Sequence, residues 1–211
     1  MRYRITFSKT SAMRFTGHLD LHRTLERTMR RANLPLAYSQ GFTPRPKLTL
    51  ASALPLGYTS ESEIADFWLK EEMGLPQIDE AFKASQPPGV ELHQVQNISS
   101  DAPKLQTTLT MAKFNITLLD EIPNLDQKIA DLLNRETILR EKIKKGKKKI
   151  SDIRPLIFEV LNTTPQDTEQ QRLAMTLKAE PSATGRPDHV LEAMGIDPLS
   201  ALIHRTELIF T

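Results

Sequence analysis

Arg23, Arg27 and Arg30, with Arg31 beside them, recur at intervals that place their guanidinium groups along one stripe of a helix. A guanidinium fork matches the geometry of a phosphate, and a row of forks can follow the backbone of a polyanion. Only Glu26 interrupts the stripe, and Asp20 falls in the first turn, where a carboxylate suits the helix dipole. The competing role is a solvated helix face, and the shortage of neighbouring acids weighs against it. Downstream, YSQGFTPRPK sets Tyr38 and Phe42 on either side of Gly41, with Gln40 between them and Arg45 and Lys47 following. Aromatic rings beside cations can stack a base and hold its phosphate, although both rings can equally pack beneath the loop. Arg14, ahead of the helix, joins this polyanion-binding set.

His18 and His22 stand four apart on one helical face, a metal-compatible spacing, but two ligands do not make a site and no glutamate follows His18 as in the zinc-protease motif. No metal or other cofactor is expected. A helix N-terminus disfavours imidazolium, so a neutral His18 is a candidate general base, with a capping histidine as the plainer role. In the second half, Gly185-Arg186-Pro187-Asp188 precedes a helix and offers amides beside Arg186 for a phosphate, or only a turn. Arg154 completes the cationic candidates. There is no glycine-rich phosphate loop, no serine-hydrolase elbow and no convincing carboxylate pair, so the sequence leans away from catalysis.

Composition narrows the context. The chain of 211 residues has 39% hydrophobic and 26% charged residues, ordinary values for a globular protein. It has no cysteine, which removes disulfides, thiolate nucleophiles and iron–sulfur ligation by this chain. The formal net charge of +2 hides an asymmetry: residues 1–50 hold ten Lys/Arg against two Asp/Glu, and residues 51–100 hold two against eight. A second basic run spans Lys142 to Lys149, reading KIKKGKKK. No apolar stretch approaches the ~20 residues of a membrane span, and MRYRITF reads as a strand rather than a signal peptide, so a cytoplasmic protein without membrane contact is expected.

The elements that must position these residues follow from periodicity. Tyr3, Ile5 and Phe7 alternate with Arg2, Arg4 and Thr6, giving a strand with one buried face. Thr16 is the expected N-cap of a helix over roughly 17–33, with Leu21, Leu25, Met29 and Ala32 buried and Pro35 ending it. Leu36 to Tyr38 and Lys47 to Leu54 read as strands around the constrained loop, Glu63 to Lys70 as another strand, Ile78 to Ala84 as a helix and Val90 to Val95 as a strand. ISSDAPK, from Ile98 to Lys104, is the expected linker. The second half reads as strand (Phe114 to Leu119), helix (Leu125 to Leu133) and a hairpin turning at Lys145-Gly146. Strands from Ile153 to Leu161 and Leu173 to Ala179, a helix from Pro187 to Met194 and a closing strand follow. The expected fold is α+β: two tandem ferredoxin-like (split β-α-β) halves with antiparallel sheets, residues 1–100 and 105–211.

The stretch RFTGHLDLHRTLERTMRRANLPLAYSQGFTPRPKLTLASALPLG, Arg14 to Gly57, resembles the signature of the radical-SAM-linked protein family, a bacterial domain of unknown function fused to or encoded beside a radical SAM protein. Asp152-Ile153-Arg154-Pro155, Gly185-Arg186-Pro187-Asp188 and Arg205-Thr206-Glu207-Leu208 extend the likeness over nearly the whole chain. The departure is Thr16-Gly17, where the family pattern has a bulkier residue and a small hydroxyl residue. The resemblance implies a radical SAM partner that carries the cluster this chain lacks, and no known activity. Three readings result. The first is a non-catalytic module binding tRNA or ribosomal RNA for a radical SAM modifying enzyme. The second is a metal-independent endoribonuclease with His18 as base, by fold analogy alone. The third is a scaffold docking the arginine stripe on its protein partner. The first requires that the helix arginines are not neutralised by the chain's own acidic second quarter.

Overall fold

The computed structural model describes residues 1–144 and 147–211, and the side chains of these apart from 142–144 and 147. The expected turn at Lys145-Gly146 lies outside the described residues. The chain divides into two units, Met1–Leu109 with Thr211, and Thr110–Phe210. Both mix helices with antiparallel strands, which makes the protein α+β.

The first unit runs β1 (Arg2–Lys9), α1 (His18–Arg31), β2 (Leu48–Leu50), β3 (Thr59–Trp68), α2 (Leu75–Ser85) and β4 (Val90–Ile98). β1 pairs with β3 on one edge and β4 on the other, and β2 pairs with β3, every pair antiparallel. Tyr3, Ile5 and Phe7 alternate into the core beneath Leu21, Leu25 and Met29 of α1 and Ile78 and Phe82 of α2, all essentially without solvent contact. Burying each such side chain contributes roughly 1.5–3 kcal/mol, which is what holds α1, and its charged face, in one orientation.

Both ends of α1 correct the sequence expectation. Gly17, not Thr16, is the N-cap, and no side chain caps the helix. The amide of Thr16 instead donates to Met13 O, in a turn that follows the 3-10 helix Ser11–Met13. At the other end the helix stops before Pro35 acts. Asn33 adopts φ 54°, and the amides of Asn33 and Leu34 donate to Arg30 O and Met29 O, a left-handed cap that short amides tolerate.

The other face of β1 is covered too, against expectation. Asp66, fully buried on β3, accepts from Arg2 Nε (3.0 Å) and its terminal nitrogen (2.6 Å), and from Arg4 Nε (2.7 Å) and its terminal nitrogen (3.1 Å). Arg2 also donates to the carbonyls of Ala102 and Pro103, so the segment expected as a linker is tied back to β1. β2 is shorter than its sequence promised, and Leu36 and Tyr38 make only isolated bridges, to Leu69 and Pro46. The prolines at 44 and 46 lack the amide that a longer ladder needs.

The second unit comprises β5 (Leu109–Leu118), α3 (Leu125–Leu133), β6 (Leu139–Lys144), β7 (Lys147–Asp152), β8 (Ile157–Asn162), β9 (Arg172–Glu180), β10 (Ala183–Thr184), α4 (Pro187–Ala193) and β11 (Ala201–Phe210). β9 pairs with β5 on one edge and with β8 and β10 on the other, and β11 flanks β5; β6 and β7 form a separate ribbon. Leu173, Met175 and Leu177 alternate inward with Ile116, Leu132 and Leu191. Among the described residues no helix is long and apolar enough to cross a membrane.

Candidate nucleic-acid interface

α1 and the loop after it line one cavity of about 570 Å³ in the first unit. His22 and Glu26 come from the helix, Ser39, Arg45, Pro46 and Lys47 from the loop, Leu48 and Thr49 from β2, and Trp68 from the end of β3. The loop is a closed ring. Ser39 N donates to Arg45 O at 2.8 Å, Arg45 N donates to Ser39 Oγ at 3.1 Å, and Lys47 N donates to Ala37 O at 2.8 Å. With both ends clamped and Gly41 at φ 135°, the tip is projected outward: Phe42 is fully exposed, and Tyr38, 38% exposed, lies under the Lys70 ammonium at 5.8 Å. Packing beneath the loop is therefore not the role of Phe42. Gln40 shares the exposed tip.

The arginines of α1 are exposed and weakly held by their own helix. Arg23 reaches Asp20 at 3.3 Å, and Arg30 donates to Glu26 O at 3.4 Å. Arg31 donates to Thr28 Oγ1 and to Ser85 O. Among the described residues the side chains of Arg27, Arg45 and Lys47 have no ion-pair or hydrogen-bond partner, and no α1 arginine meets a carboxylate of the acidic second quarter. Asp66 of that quarter instead takes Arg2 and Arg4 of β1.

Other expected cations are held locally. Arg14 donates through Nε to Gly57 O at 2.8 Å and lies over the Phe15 ring, bracing the turn before β3. In the second unit, Arg154 donates to the carbonyls of Leu133, Arg135 and Ile157, closing the end of α3, while Asp152 Oδ1 accepts from the amides of Ile138 and Arg154. The Asp-Ile-Arg-Pro segment is thus a structural clasp. Arg186 forms a two-pronged pair with Asp188 at 3.0 and 2.6 Å, so its guanidinium faces a carboxylate of its own chain. Of the second basic run, the described side chains of Lys148 and Lys149 are exposed, Lys148 pairing with Glu141.

His18 opens α1 half-buried. His22 is placed more tellingly: Nε2 lies 3.2 Å from Leu48 O and Nδ1 3.4 Å from Glu26 Oε1, bridging helix and β2 at the cavity wall. Among the described residues no three His, Asp or Glu side chains gather as a metal site. Trp68 and Thr49 were not singled out by the sequence, although Trp68 is the sole tryptophan. Glu26, read there as a break in the stripe, is a cavity residue.

The fold and cavity define an α+β protein with a cationic, aromatic-tipped surface on its first unit. The chain belongs to a bacterial family described as uncharacterized protein conserved in bacteria (DUF2344), which matches residues 2–187. No curated protein matches it. Among solved structures, a chain in a Cbf5-Nop10-Gar1 complex is similar, with a TM-score of 0.50 at 9% identity over 98% of this chain and 48% of that one. A chain of an archaeal box H/ACA sRNP Nop10-Cbf5 complex aligns with a TM-score of 0.44 at 10% identity over 97% of this chain and 47% of that one. This chain therefore spans about half the length of the solved chains it matches, and the likeness is one of fold.

Proposed function

We propose that this protein is a non-catalytic RNA-binding accessory module that presents a tRNA or ribosomal RNA to a radical SAM modifying enzyme, with Arg23, Arg27, Arg30, Arg45 and Lys47 on phosphates and Phe42 against a base. The observation that carries it is that α1 and the clamped loop line one cavity while Arg27, Arg45 and Lys47 keep no partner among the described residues. The radical SAM partner follows from the family resemblance of Arg14 to Gly57. The halves 1–100 and 105–211 are read as tandem ferredoxin-like domains. Support comes from the matching strand orders, β2-β3-β1-β4 and β8-β9-β5-β11, each built β-α-β-β-α-β once the β6/β7 ribbon and the two-residue β10 are set aside.

The test is a mobility-shift titration with total tRNA at several salt concentrations, comparing the protein with the triple variant R27E/R45E/K47E. Each lost phosphate contact flattens the slope of log K against log salt by about 0.7 on a single strand, so the variant should lose roughly 2 in slope as well as affinity. Indistinguishable slopes would refute the proposal. Co-purification with the radical SAM protein should survive nuclease treatment.

A further inference from the structure

Glu26 is the one acid in the cationic stripe of α1, yet it is not used to neutralise it. Arg30, one turn on, donates to the backbone oxygen of Glu26 rather than to its carboxylate. Among the described residues the carboxylate is paired with His22 alone, which is itself anchored on Leu48 O, and its side chain is 12% exposed. Helix and β2 together thus hold an acceptor-only group at the wall of a cavity whose loop side carries Arg45 and Lys47. The volume of about 570 Å³ lies within the range of small-ligand sites, roughly 300–1,000 Å³.

This polarity sorts the guest. A phosphate is repelled by Glu26 and attracted to Arg45 and Lys47, so the other end of the guest must bring N–H donors to the carboxylate. A carboxylate is best satisfied by two parallel donors, as in its pairing with a guanidinium. Of the four RNA bases, guanine alone offers an adjacent ring N–H and amino group; adenine and cytosine set an acceptor beside their amino group, and uracil flanks its N–H with two carbonyls. We propose that the cavity takes one unstacked guanine nucleotide, its phosphate on Arg45 and Lys47 and its donor edge on Glu26, with Trp68 as an apolar wall. This rests on the RNA-binding reading and deepens it, adding a base preference.

Trp68 is the sole tryptophan and lines the cavity, so its fluorescence reports occupancy. The whole chain is titrated with GMP, AMP, CMP and UMP, with guanosine and inorganic phosphate as further arms, and equilibrium dialysis as a second readout. GMP should bind about ten-fold tighter than the other nucleotides, the discrimination expected of a two-pronged base contact. Glu26→Gln should erase that preference by weakening GMP relative to AMP, CMP and UMP, and Lys47→Ala should weaken all four nucleotides alike. Equal binding of the four nucleotides, binding of inorganic phosphate as tight as GMP, an unaltered preference in Glu26→Gln, or no binding by dialysis would each overturn the inference. Retention of tRNA with no guanine preference overturns this inference alone, whereas GMP preference without tRNA retention overturns the RNA-binding reading instead.

Discussion

Replacing Asp66 with asparagine should destabilise the first unit more than any surface change nearby. The native carboxylate is fully buried and takes four hydrogen bonds of 2.6–3.1 Å from Arg2 and Arg4, whose side chains are 6% and 23% exposed. Asparagine keeps the shape but removes the charge and turns one acceptor into a donor that faces guanidinium. Removing one partner of a buried ion pair costs about 3–5 kcal/mol, because the remaining charge is left uncompensated. The lower end applies here, since Arg4 reaches solvent and asparagine retains one acceptor, so the expected loss is roughly 3 kcal/mol. For a chain of this length each kcal/mol lowers the melting temperature by about 2–4 °C, giving a drop of roughly 6–12 °C by circular dichroism or calorimetry. Arg4→Ala combined with Asp66→Asn should cost less than the two single changes together, with a coupling of about 1 kcal/mol or more. A loss below about 1 kcal/mol, or simple additivity, would refute the view that Asp66 compensates both arginines.

Three further outcomes are expected. Phe42→Ala should weaken single-stranded RNA binding by roughly 5- to 150-fold, the range for losing one stacked base, while leaving the melting temperature unchanged because the ring touches solvent only. Gly89→Ala should destabilise by at least about 1 kcal/mol in urea unfolding, since Gly89 sits at φ 90° and a Cβ there would lie 2.7 Å from Met13 Cγ and 2.8 Å from Met13 N. His189 is held below its ordinary 6.5, first by burial and then by Arg140 and Arg186 against the opposing pull of Asp188 and Glu192. The unfolded chain therefore takes up the proton first, so the stability from the neutral ring is present above pH 6.5 and declines as pH falls below it. His189→Gln should flatten that acid limb in urea unfolding compared at pH 7 and on its acid side.

The elements that could be read locally were legible. β1, α1, α3 and β9 follow from side chains whose periodicity is set within a few residues, and α3 occupies Leu125–Leu133 as its pattern indicates. What depends on distant partners was not. The role of Asp66 requires register across β1 and β3, some sixty residues apart, and only that register shows that Arg2 and Arg4 face a carboxylate rather than water. The candidate site was legible in its loop and helix but not in which residues of α1 face the cavity. A stripe assignment separates apolar from polar positions, but His22 and Glu26 differ from Arg23 and Arg27 only by lying nearer β2. Arg14, Arg154 and Arg186 look alike in sequence to Arg27 and Arg45, and differ through the carbonyls and carboxylate that the fold brings to them.

The contact of Arg2 with Ala102 and Pro103 sets where the polypeptide can be severed. A fragment ending at Ile98 would remove both carbonyl acceptors from Arg2, leaving Asp66 as its hydrogen-bond partner among the described residues, and would loosen the strand beneath Asp66. Proteolysis between 98 and 104 should accordingly be slow for so polar a stretch, and the shortest N-terminal piece to retain its packing must run on past Pro103.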